Sequence, residues 1–139
     1  MIEPHLEVRR ADLDDEGWIR ALMLERRRAQ SILVGERAYE PATLPAFVVV
    51  EGLIEPVGVL TYVLEGGACQ IVTLDSLREG IGVGSLLVGA VLGLARDVGC
   101  ERLWLVVAGD DERALSWCAR RGFRRVAARE GVELEIQLV

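Results

Sequence analysis

The chain has 139 residues, of which 51% are hydrophobic and 27% are charged, and its formal net charge is −6. This negative charge argues against broad nucleic-acid binding, which needs a basic surface, and no apolar run is long enough to span a membrane. We therefore expect one globular domain over residues 1–139 that works in the cytoplasm and contacts neither nucleic acid nor membrane.

The three cysteines, Cys69, Cys100 and Cys118, lie far apart in the sequence. Their spacing matches no zinc-binding pattern, and an odd number of separated thiols suits a reducing compartment better than a disulfide framework. We expect no metal cofactor.

The N-terminal part of the chain predicts a strand, a helix and a less regular segment. Leu6–Arg10 alternates with a period of two, as a strand does. The helix that follows takes its cap from Asp12 or Asp14 and carries an apolar stripe toward Arg28. Ser31–Leu44 is interrupted by glycine and proline, so either a short helix or an irregular loop fits it.

Three strands in the middle of the chain predict an antiparallel meander. They are Ala46–Val50, Val57–Leu64 and Cys69–Leu74, all rich in β-branched or other apolar residues. The turns between them fall at residues 51–56 and at Glu65–Gly67, where proline and glycine favour a change of direction.

The last part of the chain alternates helices and strands. A long apolar helix runs from Ser85 to Gly99, and Arg102–Val107 then reads as a buried strand. This order favours parallel pairing of that strand with the third strand of the meander, through a right-handed crossover.

A final helix and a terminal hairpin complete the predicted elements. The helix takes its cap from Asp110 or Asp111. The hairpin consists of Phe123–Ala128 and Val132–Leu138, with a turn at Glu130–Gly131.

A glycine-spaced turn joins the third strand of the meander to the long helix. A strand that feeds such a turn at the start of a helix makes a phosphate site, because the first N–H groups of the helix have no internal partner. A dinucleotide-binding GxGxxG motif would need glycine at Ser85 or Leu87, and the phosphate-loop motif needs a lysine, which the chain lacks. The turn therefore predicts a phosphorylated ligand that is held by neither motif.

Two segments resemble motifs of the GCN5-related N-acetyltransferases. Residues 79–84, Glu-Gly-Ile-Gly-Val-Gly, resemble the Q/R-x-x-G-x-G/A motif of that family, and residues 114–123 resemble its A-L-x-F-Y-x-x-x-G-F signature. The resemblance implies a mixed α/β fold with a mostly antiparallel sheet of six or seven strands and helices on both faces. It also implies that the fourth and fifth strands of that fold, here Cys69–Leu74 and Arg102–Val107, splay apart.

The same resemblance implies that the co-substrate is acetyl-CoA. Its pantetheine arm would pair with the backbone of residues 72–74, the Leu74 N–H would polarise the thioester carbonyl, and the amides of residues 80–85 would hold the pyrophosphate. We expect a Cβ at Gly82 or Gly84 to obstruct that approach. The implied cofactor-binding residues are Val72, Thr73, Leu74, Glu79, Gly80, Ile81, Gly82, Val83, Gly84, Ser85 and Asp111.

Three side chains depart from the family pattern. Glu79 replaces the leading Arg or Gln, so that only its backbone suits a pyrophosphate. Asp111 replaces an Asn that often contacts the cofactor arm, although it also suits a helix cap. Cys118 replaces the Tyr that often protonates the departing thiolate, and its thiol is either that proton donor or a buried packing residue.

The general base is a further open question. Asp75 directly follows the predicted strand that would border the reacting groups, and its carboxylate is either a base for the incoming amine or a turn residue. The catalytic candidates are therefore Leu74, Asp75 and Cys118.

The predicted function is the transfer of an acetyl group from acetyl-CoA to a primary amine by direct attack in a ternary complex. The acceptor is a small molecule or a peptide, and a homodimer is compatible with this function. The alternative is a non-catalytic acyl-CoA-binding module with a regulatory or interaction role, which the departures at residues 79, 111 and 118 favour.

Overall fold

The computed structural model describes residues 5–128 and 131–139. The strands in this part of the chain are β1 (Leu6–Arg10), β2 (Ile32–Val34), β3 (Arg37–Tyr39), β4 (Ala46–Glu51), β5 (Glu55–Glu65), β6 (Ala68–Ser76), β7 (Arg102–Val107), β8 (Arg124–Ala128) and β9 (Val132–Gln137). The α-helices are α1 (Glu16–Arg27), α2 (Val83–Asp97) and α3 (Glu112–Arg120).

Seven of the strands form one sheet in the order β1-β4-β5-β6-β7-β9-β8. Only β6 and β7 pair in parallel, and they are connected through α2. All other neighbours in this sheet are antiparallel. The mostly antiparallel sheet and the parallel crossover predicted from the sequence are both confirmed.

The sheet separates two apolar layers, and β4 contributes to both. Because its side chains alternate, Val48 packs with Met23 of α1 in one buried cluster, whereas Val49 packs with Leu87 of α2 in the other. All four side chains have no exposed surface. Helices therefore lie on both faces, as predicted, and Cys118 of α3 belongs to the same cluster as α2.

Gly58 on β5 lets α2 approach the sheet closely. A Cβ at this position would lie 2.3 Å from Cγ1 of Val83 and 3.2 Å from Cδ1 of Leu87. A residue with a side chain would push the first turn of α2 outward. Since Gly58 also pairs with Ser76, the start of α2 is held against the end of β6.

The carboxylate of Asp15 joins β1 to α1. It accepts two hydrogen bonds from the Arg9 guanidinium, at 2.7 and 2.9 Å, and one from Nε1 of Trp18 at 2.8 Å. The Asp12 N–H donates a fourth at 2.8 Å, and Asp12 in turn caps the short 3₁₀ turn that precedes α1. The hydrogen bonds from Arg9, followed by those from Trp18 and Asp12, hold the pKa of Asp15 well below its usual range.

The segment Ser31–Leu44 differs from both structures predicted for it. It contains a small hairpin of β2 and β3, which turns at Gly35 with a φ of 63°, and then a 3₁₀ turn at Pro41–Thr43. The two strands are three residues long. The predictions of a short helix and of an irregular loop were both wrong. Strands of that length are too short for alternation to be recognised in a sequence.

The C-terminal elements agree with the sequence prediction. β7 has the predicted bounds, and β8 and β9 form the expected antiparallel pair. The predicted turn at Glu130–Gly131 falls partly outside the described residues, because Glu130 is not among them. No helix in the described part of the chain combines the length and the apolar character that crossing a membrane requires.

Candidate active site

β6 and β7 start side by side and then separate. Three parallel pairs join them, and the last is Gln70↔Trp104. Beyond Gln70, β6 has no register partner on β7 within the described residues, although it continues to Ser76 and β7 continues to Val107. The predicted gap between these strands is therefore present, and its backbone edge is open to pairing with an extended ligand.

A β-bulge lies in β6 just after the last pair with β7. Tyr62 pairs with Ile71 and Thr61 pairs with Thr73, so Val72 has no partner on β5. A bulge bends its strand and increases the local twist. The extra residue thus accounts for the point at which β6 turns away from β7.

The side chains that border the gap on β6 are already engaged in the fold. Leu74 packs against the buried cluster that contains Val49, Leu87 and Cys118, which we call the α2-side cluster. The Thr73 hydroxyl lies 2.6 Å from the Thr61 hydroxyl. A ligand along residues 72–74 would therefore contact main chain. That is the role the resemblance implies for this segment.

The glycine turn has a backbone suited to an anion. Gly80 and Gly82 have φ values of 79° and 91°, in the left-handed region, and a Cβ at either position would meet no atom within 4 Å. Gly82 is the N-cap of α2 and makes no side-chain cap. The N–H groups of residues 83–85 therefore have no partner inside the helix and lie at the positive end of its dipole.

Gly84 serves a purpose that the sequence did not indicate. A Cβ at this position would lie 2.6 Å from Cζ2 of the Trp117 indole. The missing side chain makes room for α3 to pack on the first turn of α2. A larger residue at 84 would first displace Trp117, so we expect a side chain to obstruct a ligand directly at Gly82 and not at Gly84.

Arg121 brings a positive charge to the first turn of α2, and the sequence patterns did not single it out. Its guanidinium carbon lies 3.6 Å from the centre of the Trp117 ring. Nε and Nη2 lie 3.2 and 2.9 Å from Oγ of Ser85, to which both donate hydrogen bonds. The spacing of four residues between Trp117 and Arg121 is the one sequence signal, since it places both on one side of a helix.

Glu79 and Asp111 have structural surroundings that limit what their side chains can do. The Glu79 side chain is 82% exposed, and its Oε2 lies 3.9 Å from Nη2 of Arg113. Such an exposed pair is weak. Asp111 caps α3, because its Oδ1 accepts a hydrogen bond from the Ala114 N–H at 3.1 Å. The predicted capping role of Asp111 is confirmed.

Asp75 is buried and paired with arginine. Its side chain is only 4% exposed, and its two oxygens lie 3.0 and 3.2 Å from Nη1 of Arg27. Nη1 of Arg26 lies 3.6 Å from Oδ1. These guanidinium groups occupy the carboxylate oxygens, so Asp75 can accept a proton from an amine only if Arg27 moves. Its catalytic role stays a prediction.

Cys118 lies in the apolar core. Its side chain belongs to the α2-side cluster together with Phe123. Burial raises the pKa of the Cys118 thiol, and the nearby Arg121 opposes this increase only in part. The thiol therefore remains protonated at neutral pH. Its position in the core fits a buried packing residue at least as well as a proton donor.

Within residues 5–128 and 131–139, no three His, Cys, Asp or Glu side chains converge as metal ligands.

Comparison with known sequences identifies the family of the chain. A family model described as the acetyltransferase (GNAT) family matches residues 11–123. The uncharacterized protein YdhI of Bacillus subtilis strain 168 is 32% identical over 84 residues, which cover 60% of this chain and 52% of YdhI. The chain spans about half the length of the curated relatives that it matches.

Solved structures share the fold. N-acetylglutamate synthase from Neisseria gonorrhoeae, complexed with coenzyme A and N-acetyl-glutamate, has a TM-score of 0.76 and 19% identity, covering 99% of this chain and 36% of that one. The dodecameric spermidine N-acetyltransferase from Vibrio cholerae has a TM-score of 0.71 and 15% identity, covering 95% and 93%. At these identities the likeness concerns the fold alone.

The separated strand pair, the glycine turn and the sheet order together define the acyltransferase fold shared with these structures. The chain belongs to the GNAT acetyltransferase family.

Proposed function

We propose that this protein transfers the acetyl group of acetyl-CoA to a primary amine of a small molecule or a peptide. The observation that carries the proposal is the gap between β6 and β7, which opens after the pair Gln70↔Trp104. The glycine turn supports it, because the turn presents partnerless N–H groups at the start of a helix that is held against the end of β6.

The described residues suit coenzyme A at this gap. The backbone of Val72, Thr73 and Leu74 would pair with the pantetheine arm, and residues 79–85 would surround the pyrophosphate. Arg121 adds the positive charge that Glu79 does not supply, because its guanidinium reaches Ser85 in the first turn of α2. Asp111, as the cap of α3, would contribute at most an oxygen to the cofactor arm.

The proposed reaction is a direct attack within a ternary complex. The amine nitrogen forms a bond to the thioester carbonyl carbon, the carbon–sulfur bond breaks, the sulfur takes a proton and the nitrogen loses one. The Leu74 N–H would stabilise the developing oxyanion through main chain. Asp75, once released by Arg27, would accept the proton of the amine, and Cys118 would donate one to the sulfur. If Cys118 only packs the core, water takes that role.

We expect acetyl transfer to at least one member of a panel of primary amines, with a rate that rises with pH until the amine is neutral. Free coenzyme A would be measured by a thiol reagent and the acetylated amine by mass spectrometry. Turnover that requires a covalent acetyl-Cys118, trapped during the reaction, would contradict direct attack.

A non-catalytic acyl-CoA-binding module is the second candidate, and the ion pair of Asp75 with Arg27 favours it. Such a module would show a thermal shift with coenzyme A and acetyl-CoA, since a ligand at about 100 times its dissociation constant adds about 2.7 kcal/mol of stability. It would acetylate no amine in the panel. The two assays together separate the candidates.

Replacing Arg121 with methionine should weaken coenzyme A binding about tenfold, because one charge-assisted hydrogen bond to a phosphate is worth roughly 1.5 kcal/mol. Methionine keeps apolar contact with the Trp117 ring, so the fold should persist. Arg120→Met is the matched control, since Arg120 is the exposed neighbour on α3. Calorimetric titration with coenzyme A would measure both. Equal affinities of the two variants for coenzyme A would contradict a role of Arg121 in binding it.

The proposed setting is the cytoplasm. The three cysteines are free and buried, which suits a reducing compartment. We include a homodimer in the proposal, to be measured by light scattering, and we expect no nucleic-acid partner.

A further inference from the structure

A cavity of about 520 Å³ lies between the β2–β3 hairpin and the sheet. Its size is that of a small-molecule site. Its lining includes Val34 and Glu36 from the hairpin, Trp104 and Val106 from β7, and Glu133 from β9. We call this space the hairpin cavity.

The hairpin cavity lies on the sheet face opposite α2. Along β7, Leu105 and Val107 belong to the α2-side cluster, whereas Trp104 and Val106 line the cavity. The glycine turn starts α2 on the other face. A ligand in the cavity and a ligand at the turn would therefore approach the gap from opposite sides of the sheet.

The cavity extends to the point where β6 and β7 separate. A smaller space of about 210 Å³ shares Val34 and Trp104 with it and is also lined by Gln70. Gln70 and Trp104 form the last pair before the gap. Because Val106 lies on β7 beyond that pair, an amine in the hairpin cavity would lie along the β7 side of the gap into which the proposed function places the thioester.

The walls of the cavity are apolar, and the negative charge at its edge comes from Glu36, because Arg102 offsets Glu133 and also lies over the Trp104 ring. Trp104, Val34 and Val106 supply apolar surface, and Val106 is 38% exposed although β7 is a central strand. Glu36 and Glu133 are the charged residues among the described lining residues. Glu133 already accepts a hydrogen bond from Arg102 at 2.9 Å, whereas Glu36 lies in the exposed turn of the hairpin.

We propose that the hairpin cavity binds the acceptor, and that the acceptor is a cationic amine with an aromatic or branched apolar body and no carboxylate. This inference rests on the proposed function and names its substrate class. The apolar walls bury the body of the amine, and Glu36 attracts its ammonium group before deprotonation. A carboxylate on the acceptor would face Glu36 and be repelled, since the charge of Glu133 is already offset by Arg102.

The test compares 2-phenylethylamine with phenylalanine, which differs from it by one carboxylate, and with a hydroxyl-rich aminoglycoside. We expect kcat/KM to be highest for 2-phenylethylamine. Glu36→Arg should raise its KM about fivefold and leave kcat nearly unchanged, since it replaces a solvent-screened attraction with a solvent-screened repulsion. Glu101→Arg is the matched control, because Glu101 is exposed and precedes β7 at the end away from the gap.

Equilibrium binding of 2-phenylethylamine in the presence of coenzyme A, followed by NMR, separates this inference from the proposed function. If binding depends on Glu36 but no amine is acetylated, the result supports amine binding in the hairpin cavity and contradicts the proposed acetyltransferase activity. If amines are acetylated but phenylalanine or the aminoglycoside is preferred, or Glu36→Arg behaves like Glu101→Arg, the substrate class is overturned. Absence of 2-phenylethylamine binding overturns it as well.

Discussion

Replacing Gly82 with valine should weaken the binding of coenzyme A about 100-fold, which corresponds to roughly 2.7 kcal/mol. Gly82 has a φ of 91°, a conformation that a β-branched residue adopts only with strain. The chain relieves that strain by rotating the backbone, which turns the N–H groups of residues 83–85 away from a bound phosphate. The side chain would also occupy the open space above the turn.

Gly99→Val is the matched control for Gly82→Val. Gly99 has a φ of 81° and open space around a Cβ, and it follows the C-terminal end of α2. The two variants should lose similar amounts of stability, whereas only Gly82→Val should lose affinity for coenzyme A by calorimetry. If Gly82→Val binds as tightly as Gly99→Val, the pyrophosphate is held elsewhere.

Replacing Asp15 with asparagine should lower the free energy of unfolding by about 2 kcal/mol, because it breaks the ion pair of a buried carboxylate with the half-exposed Arg9 and leaves its donors poorly matched. Asp15 is 3% exposed and accepts bonds from Arg9, Trp18 and the Asp12 N–H. The Arg9 guanidinium donates one hydrogen bond to each carboxylate oxygen, and an asparagine amide has only one acceptor oxygen to replace them. Urea denaturation at neutral pH would measure the loss.

The effect of Asp15→Asn should depend on pH with a definite sign. Because the folded pKa of Asp15 is lowered, its carboxylate contributes stability above its unfolded pKa of about 3.9, and this contribution disappears as the pH falls toward the folded pKa. The difference between wild type and variant should therefore be constant above about pH 5 and shrink below about pH 4.

Asp14→Asn is the control for that pH dependence, since Asp14 lies in the same 3₁₀ turn with an exposed side chain. It should change the stability by less than about 0.5 kcal/mol. A difference between wild type and Asp15→Asn that stays constant down to pH 2 would contradict the role of the Arg9–Asp15 pair.

Most of the sheet could be predicted from the sequence because its strands have strong local signals. Arg102–Val107 is an apolar run between a glycine-ended helix and a polar turn, and the structure gives the same bounds. The β2–β3 hairpin has no such signal. Its three-residue strands are stabilised by contacts such as the hydrogen bond from Tyr39 to Gln70 on β6, a residue 31 positions away.

The candidate site likewise has features that could be predicted from the sequence and features that could not. The glycine turn was predicted because its residues are contiguous and the physics of a helix start is local. The contacts of Trp117 with Gly84 and of Arg121 with Ser85 depend on how α3 docks on α2. The pairing of Asp75 with Arg27 likewise joins residues 48 positions apart. Patterns in a single sequence do not contain such distances, so these partners could not be predicted.

The bulge at Val72 means that the gap in the sheet is specified by the number of residues in β6 more than by their identity. Val72 is the one residue without a partner on β5 between the pairs of Ile71 and Thr73. Any residue that tolerates an extended backbone can occupy that position, so we expect point mutations there to preserve the bulge. A deletion of one residue would restore continuous pairing with β5, and the strand would then run on beside β7. The gap between β6 and β7 is therefore robust to substitution during evolution and vulnerable to a change in the length of β6.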